Sequence, residues 1–179
     1  MKVVLTGFMG TGKSAVGRLL AERLGVRFVD LDDVIEEAAG MPIPEIFASE
    51  GEQGFRRRER EAVATLAECQ DRVIATGGGA VLDPENVRNL RAGAIVVCLT
   101  ATPETILDRI GSEMHRPLLQ VPDRLARIRE LLEQRAAAYA QADLCIETSE
   151  SDVKDIAERI VRHFRLEPAE TPGTSRCRT

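Results

Sequence analysis

At 179 residues, with 44% hydrophobic and 30% charged residues, the chain has the make-up of one compact soluble domain with its own core. Its 24 basic and 29 acidic residues leave a net charge of −5, and one Tyr with no Trp offers no stacking platform, so nucleic acid is not an expected partner. No apolar run approaches the ~20 residues of a membrane span, and a first strand at about the second residue leaves no room for a signal peptide. No membrane partner is expected, and a cytoplasmic setting is.

The apolar run Val3-Val4-Leu5 predicts a buried strand, Lys2–Thr6, and Val16, Leu19, Leu20 and Leu24 predict a helix over Lys13–Leu24. Between them Gly7-Phe8-Met9-Gly10-Thr11-Gly12-Lys13-Ser14 fits G-x-x-x-x-G-K-[ST] in its required strand–loop–helix context. Such a loop turns backbone N–H groups onto one anion, and the helix N-terminus adds partial positive charge. Gly10, Thr11, Gly12, Lys13, Ser14 and Ala15 are the candidate nucleotide cradle. Lys13 would reach the β- and γ-phosphates, and the Ser14 hydroxyl would ligate Mg²⁺. ATP or another nucleoside triphosphate is the implied ligand.

A second strand, Arg27–Asp30, ends on a carboxylate, and Asp32 follows two residues on, before a helix over Asp33–Ala39. If the chain stays extended, Asp30 and Asp32 point the same way, toward the crevice at the strands' carboxyl ends. One carboxylate can then serve the magnesium shell and the other a hydroxyl. N-capping of the next helix by Asp32 explains the residue equally well. The next helix, Glu52–Cys69, carries Arg56, Arg57, Arg58 and Arg60 behind Phe55. Helical spacing puts Arg56 and Arg60 on one side without choosing between them.

The strand Arg72–Thr76 runs into Gly77-Gly78-Gly79, where bare backbone at a strand's carboxyl end admits a ligand closely. Helix Pro84–Leu90, strand Ala94–Leu99 and helix Pro103–Arg109 follow, with Asp83 and Thr102 as N-caps. From about 110 to 122 a polar stretch bounded by glycine and proline reads as a lid. Arg116 lies in it, either poised to swing over the γ-phosphate or as ordinary loop charge. Asp123 caps a helix over Arg124–Ala140 whose inward stripe, Leu125, Ile128, Leu131, Leu132 and Tyr139, includes Arg135. An inward guanidinium is expensive to bury without an anionic partner, so Arg135 meets a ligand, forms an internal salt bridge, or snorkels to the rim.

Strand Asp143–Ile146 and helix Val153–Phe164 complete an alternating α/β pattern, which implies a parallel sheet covered on both faces. The domain is expected to span 1–165. Residues 166–179, rich in Pro, Glu, Thr and Ser, form an expected disordered tail. Cys69, Cys98, Cys145 and Cys177 have neither zinc nor disulfide spacing, and Cys98 and Cys145 fall in apolar strand runs as small hydrophobes.

Taken together, these motifs resemble shikimate kinase from Lys2 to about Phe164. The resemblance rests on the phosphate loop, Asp30-Leu31-Asp32, the stretch from Ile46-Phe47-Ala48 through Gly51-Glu52-Gln53-Gly54-Phe55-Arg56, Thr76-Gly77-Gly78-Gly79, Arg116-Pro117-Leu118-Leu119, and Arg135. It implies a single-domain, three-layer, nucleoside-monophosphate-kinase-like fold with a five-stranded parallel sheet in the order 2-3-1-4-5. It further implies a monomer that transfers the γ-phosphate of ATP to the 3-hydroxyl of shikimate, a step of aromatic amino-acid biosynthesis.

By position, Asp32 is similar to the residue that holds the shikimate hydroxyls and accepts the proton. Asp30 matches the residue tied to Mg²⁺ through water. Arg56 and Arg135 match the pair gripping the substrate carboxylate, with Gly77, Gly78 and Gly79 as backbone beside it. Lys13 and Arg116 complete the catalytic set on the phosphates, and Arg109 lies near the adenine. The acidic run Glu147-Thr148-Ser149-Glu150 departs from relatives that carry a basic residue there. A kinase for another small acid such as gluconate, or for a nucleoside monophosphate, would share the loop but not the other motifs. A nucleotide-sensing protein would have no need of Asp32, Arg56, Arg116 and Arg135 together.

Overall fold

The computed structural model describes residues 1–111, 119 and 121–168. Strands β1 (Lys2–Thr6), β2 (Arg27–Asp30), β3 (Arg72–Ala75), β4 (Ile95–Thr100) and β5 (Leu144–Glu147) form a parallel sheet in the order β2-β3-β1-β4-β5. Around it lie α1 (Lys13–Leu24), α2 (Leu31–Ala39), α3 (Ile43–Ala67), α4 (Pro84–Arg91), α5 (Pro103–Ile110), α6 (Arg124–Tyr139) and α7 (Val153–Phe164).

The strands read as continuous apolar runs because both faces are covered, and all five residues of β1 are buried. Val4 pairs with Ile74 and Val96, and these side chains share a cluster with α2, α3, α4, α5 and α6. Val3 and Leu5 turn the other way, onto Val16, Leu20 and Leu24 of α1 and Ile156 and Ile160 of α7. A leucine or isoleucine cut to alanine in either layer should cost about 2–5 kcal/mol. Asp83, Thr102 and Asp123 accept backbone N–H bonds at the helix starts where the sequence places caps; each is worth about 1 kcal/mol.

Two elements differ from the sequence expectation. Helix α2 begins at Leu31, because Asp30 caps it, Oδ1 accepting from the Asp32 N–H at 3.2 Å. The chain is therefore not extended through Asp32, and Asp32 is not the cap; it stands in the first turn. Helix α3 begins at Ile43, with Pro44 in its first turn, a place that suits proline although proline reads as a breaker. It is broken at Gly51, whose φ of 67° and ψ of −176° are open to glycine. Across that break Phe47 stacks on Phe55 at 4.7 Å, and Arg58 binds Glu50 at 2.6 Å.

Leu166 packs on the α7 side, its N–H donating to the Val161 carbonyl at 3.0 Å. The expected tail lies outside the described residues from 169 onward. Among the described residues no helix is long and apolar enough to cross a membrane.

Candidate active site

A cleft of about 580 Å³ opens over the carboxyl ends of β1, β2 and β3. Its nucleotide half is the loop between β1 and α1. At Gly7, with φ of 130°, an added Cβ would lie 2.1 Å from the Leu99 carbonyl oxygen, so a side chain would drive the loop off β4. The Phe8 carbonyl turns inward and accepts from the Thr11 hydroxyl at 2.7 Å and from Lys13 Nζ at 2.8 Å. Gly10, Gly12, Lys13, Ser14 and Ala15 line the cleft, whereas Thr11 is fully buried beneath and braces the loop. Gly12 is the N-cap of helix α1 and gives no side-chain cap, leaving the first N–H groups to an anion.

Ser14 Oγ donates to Asp30 Oδ2 at 2.7 Å. A hydroxyl and a carboxylate side by side at the loop's mouth are hard oxygen donors of the kind Mg²⁺ takes. One or two such groups suffice when phosphates and waters complete the octahedron. Among the described residues no cluster of three or more His, Cys, Asp or Glu could hold a metal.

The other half is built by α2, α3, α6 and the triple glycine. Asp32 closes on Gly77, where an added Cβ would stand 2.9 Å from Asp32 Oδ1 and 3.6 Å from Glu59 Oε1. Arg56 Nη1 donates to both Glu59 oxygens at 3.1 and 2.9 Å, and its guanidinium stacks 5.2 Å from the Phe55 ring centre. Arg60 instead turns away to Asp83 at 3.3 Å, and of the two only Arg56 lines the cleft. An added Cβ at Gly79 would meet Arg56 at 2.7 Å.

Arg135 is 5% exposed. It donates to the Gly78 carbonyl at 3.1 Å and lies over the Phe8 ring at 5.4 Å. Among the described residues it makes no ion pair. The internal salt bridge left open by the sequence is thus absent there, and the charge faces the cleft it lines. Tyr139 OH donates to the same Gly78 carbonyl at 2.7 Å.

Burial pushes the Glu59 carboxyl above its ordinary range, against the pull of Arg56 and with a further push from Asp32. Asp33, also on the cleft, is raised by burial and by Asp30. Arg109 does not line the cleft; it ties Gly10 O, at 3.3 Å, to Thr148 Oγ1 at 3.0 Å and Thr148 O at 2.6 Å. Arg116 and most of the expected lid, 112–118 and 120, lie outside the described residues.

With a phosphate loop and two inward arginines sharing one cleft, the comparison with known proteins is decisive. Residues 9–165 match the shikimate kinase family. The chain belongs to the shikimate kinase family. A shikimate kinase of Symbiobacterium thermophilum is 52% identical over 168 residues, 92% of this chain and 97% of the relative. One from Thermodesulfovibrio yellowstonii is 45% identical over 162 residues, 90% and 94% of the two chains. Among solved structures, the shikimate kinase from Acinetobacter baumannii in complex with shikimate superposes with a TM-score of 0.89. It is 41% identical, and the match covers 92% of each chain.

The sequence reading did not single out Glu59, although its place three residues past Arg56 is the helical spacing of an ion pair. It counted Tyr139 as core, with no signal that its hydroxyl would reach Gly78. Ile43 and Pro44 also line the cleft; a helix expected to begin at Glu52 leaves them unmarked.

Proposed function

We propose that the chain transfers the γ-phosphate of ATP to the 3-hydroxyl of shikimate, giving shikimate 3-phosphate and ADP on the route to chorismate and the aromatic amino acids. The observation that carries this is the convergence of Asp32, Arg56 and Arg135 on the cleft that the phosphate loop enters. The family membership fixes the class of reaction. The roles of the individual residues are our reading.

Phosphoryl transfer passes through a loose transition state, so the protein chiefly aligns groups and neutralises charge. Lys13, hinged over the Phe8 carbonyl, supplies positive charge to the β- and γ-phosphates, and the backbone N–H groups of Gly10 through Ala15 cradle them. Ser14 and Asp30 would hold Mg²⁺, Asp30 through water. That ion, when bound, offsets negative charge on the phosphate oxygens. Arg56 and Arg135 grip the shikimate carboxylate, which supplies the anion that the buried Arg135 lacks among the described residues. Gly77, Gly78 and Gly79 let the acceptor ring approach the backbone. Asp32 orients the hydroxyl and takes its proton late, carboxylates being weak bases near pH 7. Arg116 would bring charge to the phosphates when the lid closes, and Arg109 would stand near the adenine, tied to Thr148. We place the enzyme as a monomer in the cytoplasm, where ATP is at hand.

ADP release is the test, measured with ATP and Mg²⁺ against a panel of shikimate, gluconate and a nucleoside monophosphate. Shikimate-dependent turnover with slow hydrolysis in its absence is expected, since a closing site excludes water as acceptor. Turnover with gluconate or the monophosphate alone would overturn the reading.

A further inference from the structure

Two thiols stand side by side at the edge of the sheet. Cys98 of β4 and Cys145 of β5 are register partners in a parallel ladder. Their side chains therefore leave the same face of neighbouring strands, about 4.8 Å apart. A disulfide requires Cα atoms about 4.4–6.8 Å apart, so the backbone already meets that condition.

The two sulfurs have different surroundings. Cys98 is 0% exposed, and burial, with Cys145 next to it, pushes its thiol up to about 12. Cys145 is exposed, contrary to the small buried hydrophobe expected from its apolar run, because β5 is the last strand of the sheet. Its S–H points to the Tyr139 carbonyl at 3.8 Å. Phosphoryl transfer uses neither thiol.

We propose that Cys98 and Cys145 are a peroxide-responsive pair, Cys145 being oxidised first and Cys98 resolving it to a disulfide. The Cys145 thiolate attacks a peroxide oxygen: the S–O bond forms, the O–O bond breaks, and water or an alcohol leaves. Cys98 sulfur then attacks the sulfenic sulfur of Cys145. The S–S bond forms, the S–O bond breaks, and the departing hydroxide takes the Cys98 proton as water. Each sulfur loses one electron and the peroxide gains two. Full burial and a low thiolate fraction fit Cys98 to the resolving place, since the exposed thiol of Cys145 meets the oxidant first. The pair is joined through Tyr139 to the Gly78 carbonyl that also holds Arg135, so the change occurs one residue away from the acceptor site.

The test is peptide mapping without reductant after hydrogen peroxide treatment of the full chain, with free thiols alkylated. A Cys98–Cys145 linked peptide is expected, with a loss of about 2 Da in the intact mass that dithiothreitol reverses. In Cys98→Ala, Cys145 should instead be trapped by dimedone as the sulfenic acid. In Cys145→Ala no linked peptide should form and Cys98 should stay alkylatable after unfolding. Both thiols intact in peroxide-treated wild type, Cys145 driven to sulfinate with Cys98 untouched, or a bond from either to Cys69 or Cys177 would overturn the proposal.

Discussion

Arg56 gives Glu59 two hydrogen bonds, at 3.1 and 2.9 Å, and the carboxylate that receives them is 1% exposed. A long guanidinium with no such partner would sample many rotamers. Here the pair, the Phe55 ring and the backbone at Gly79 fix it before any substrate arrives. Replacing Glu59 by Gln exchanges a charge-assisted contact for a neutral one of similar shape. We expect the KM for shikimate to rise about tenfold, the loss of about 1.4 kcal/mol of positioning, with the KM for ATP unchanged. Steady-state kinetics with each substrate varied in turn would check this, and equal changes in both KM values would count against it.

The same carboxyl makes a pH prediction. Burial holds the Glu59 pKa above its ordinary 4.5. The folded protein therefore keeps a proton that the unfolded chain releases, and stability due to this group is complete below that value. It is lost as pH rises through the raised folded pKa. The melting temperature of the wild type relative to Glu59→Gln should fall as pH rises above 4.5. A difference that grows over that range would contradict the assignment.

Gly79 offers a steric route to the same side chain. A methyl group there would stand 2.7 Å from an Arg56 nitrogen, so the guanidinium must shift from the position it holds against Glu59. Gly79→Ala should weaken shikimate binding about tenfold or more, with nucleotide affinity intact. Unaltered shikimate binding, read by calorimetry, would show that Arg56 is not the limiting contact.

Asp32 stands in the first turn of α2 against Gly77 and lines the cleft. Asp32→Asn retains shape and removes the proton acceptor. Turnover should drop about 10²–10⁴-fold, the range for general bases, while ATP affinity is kept. Near-normal turnover in this variant would remove Asp32 from the chemistry.

Much of this was readable in the sequence. The phosphate loop declares itself because its glycines, Lys13 and Ser14 are contiguous and framed by a strand and a helix. Sheet strands and caps follow from apolar runs and from Asp83, Thr102 and Asp123. Arg135 could be placed inward because helical spacing does so directly. The choice of Arg56 over Arg60 was not readable: both lie on one side of α3, and only the tertiary position of Asp83 draws Arg60 away. Nor was the true start of α2, since Leu31-Asp32 reads equally as strand end or first helical turn until Asp30 is seen to cap it. The hydroxyl of Tyr139 reaches a carbonyl contributed by a distant loop, and local pattern carries no trace of that.

The central claim is that Arg135, buried without an anion of its own among the described residues, receives the carboxylate of shikimate. Calorimetric titration of shikimate into wild type and Arg135→Ala, each saturated with Mg·ADP, measures it directly. The account predicts a Kd at least about thirtyfold higher in the variant, as expected for a charged contact worth about 2 kcal/mol or more, with Mg·ADP affinity preserved. Equal shikimate affinity in the two proteins would contradict it.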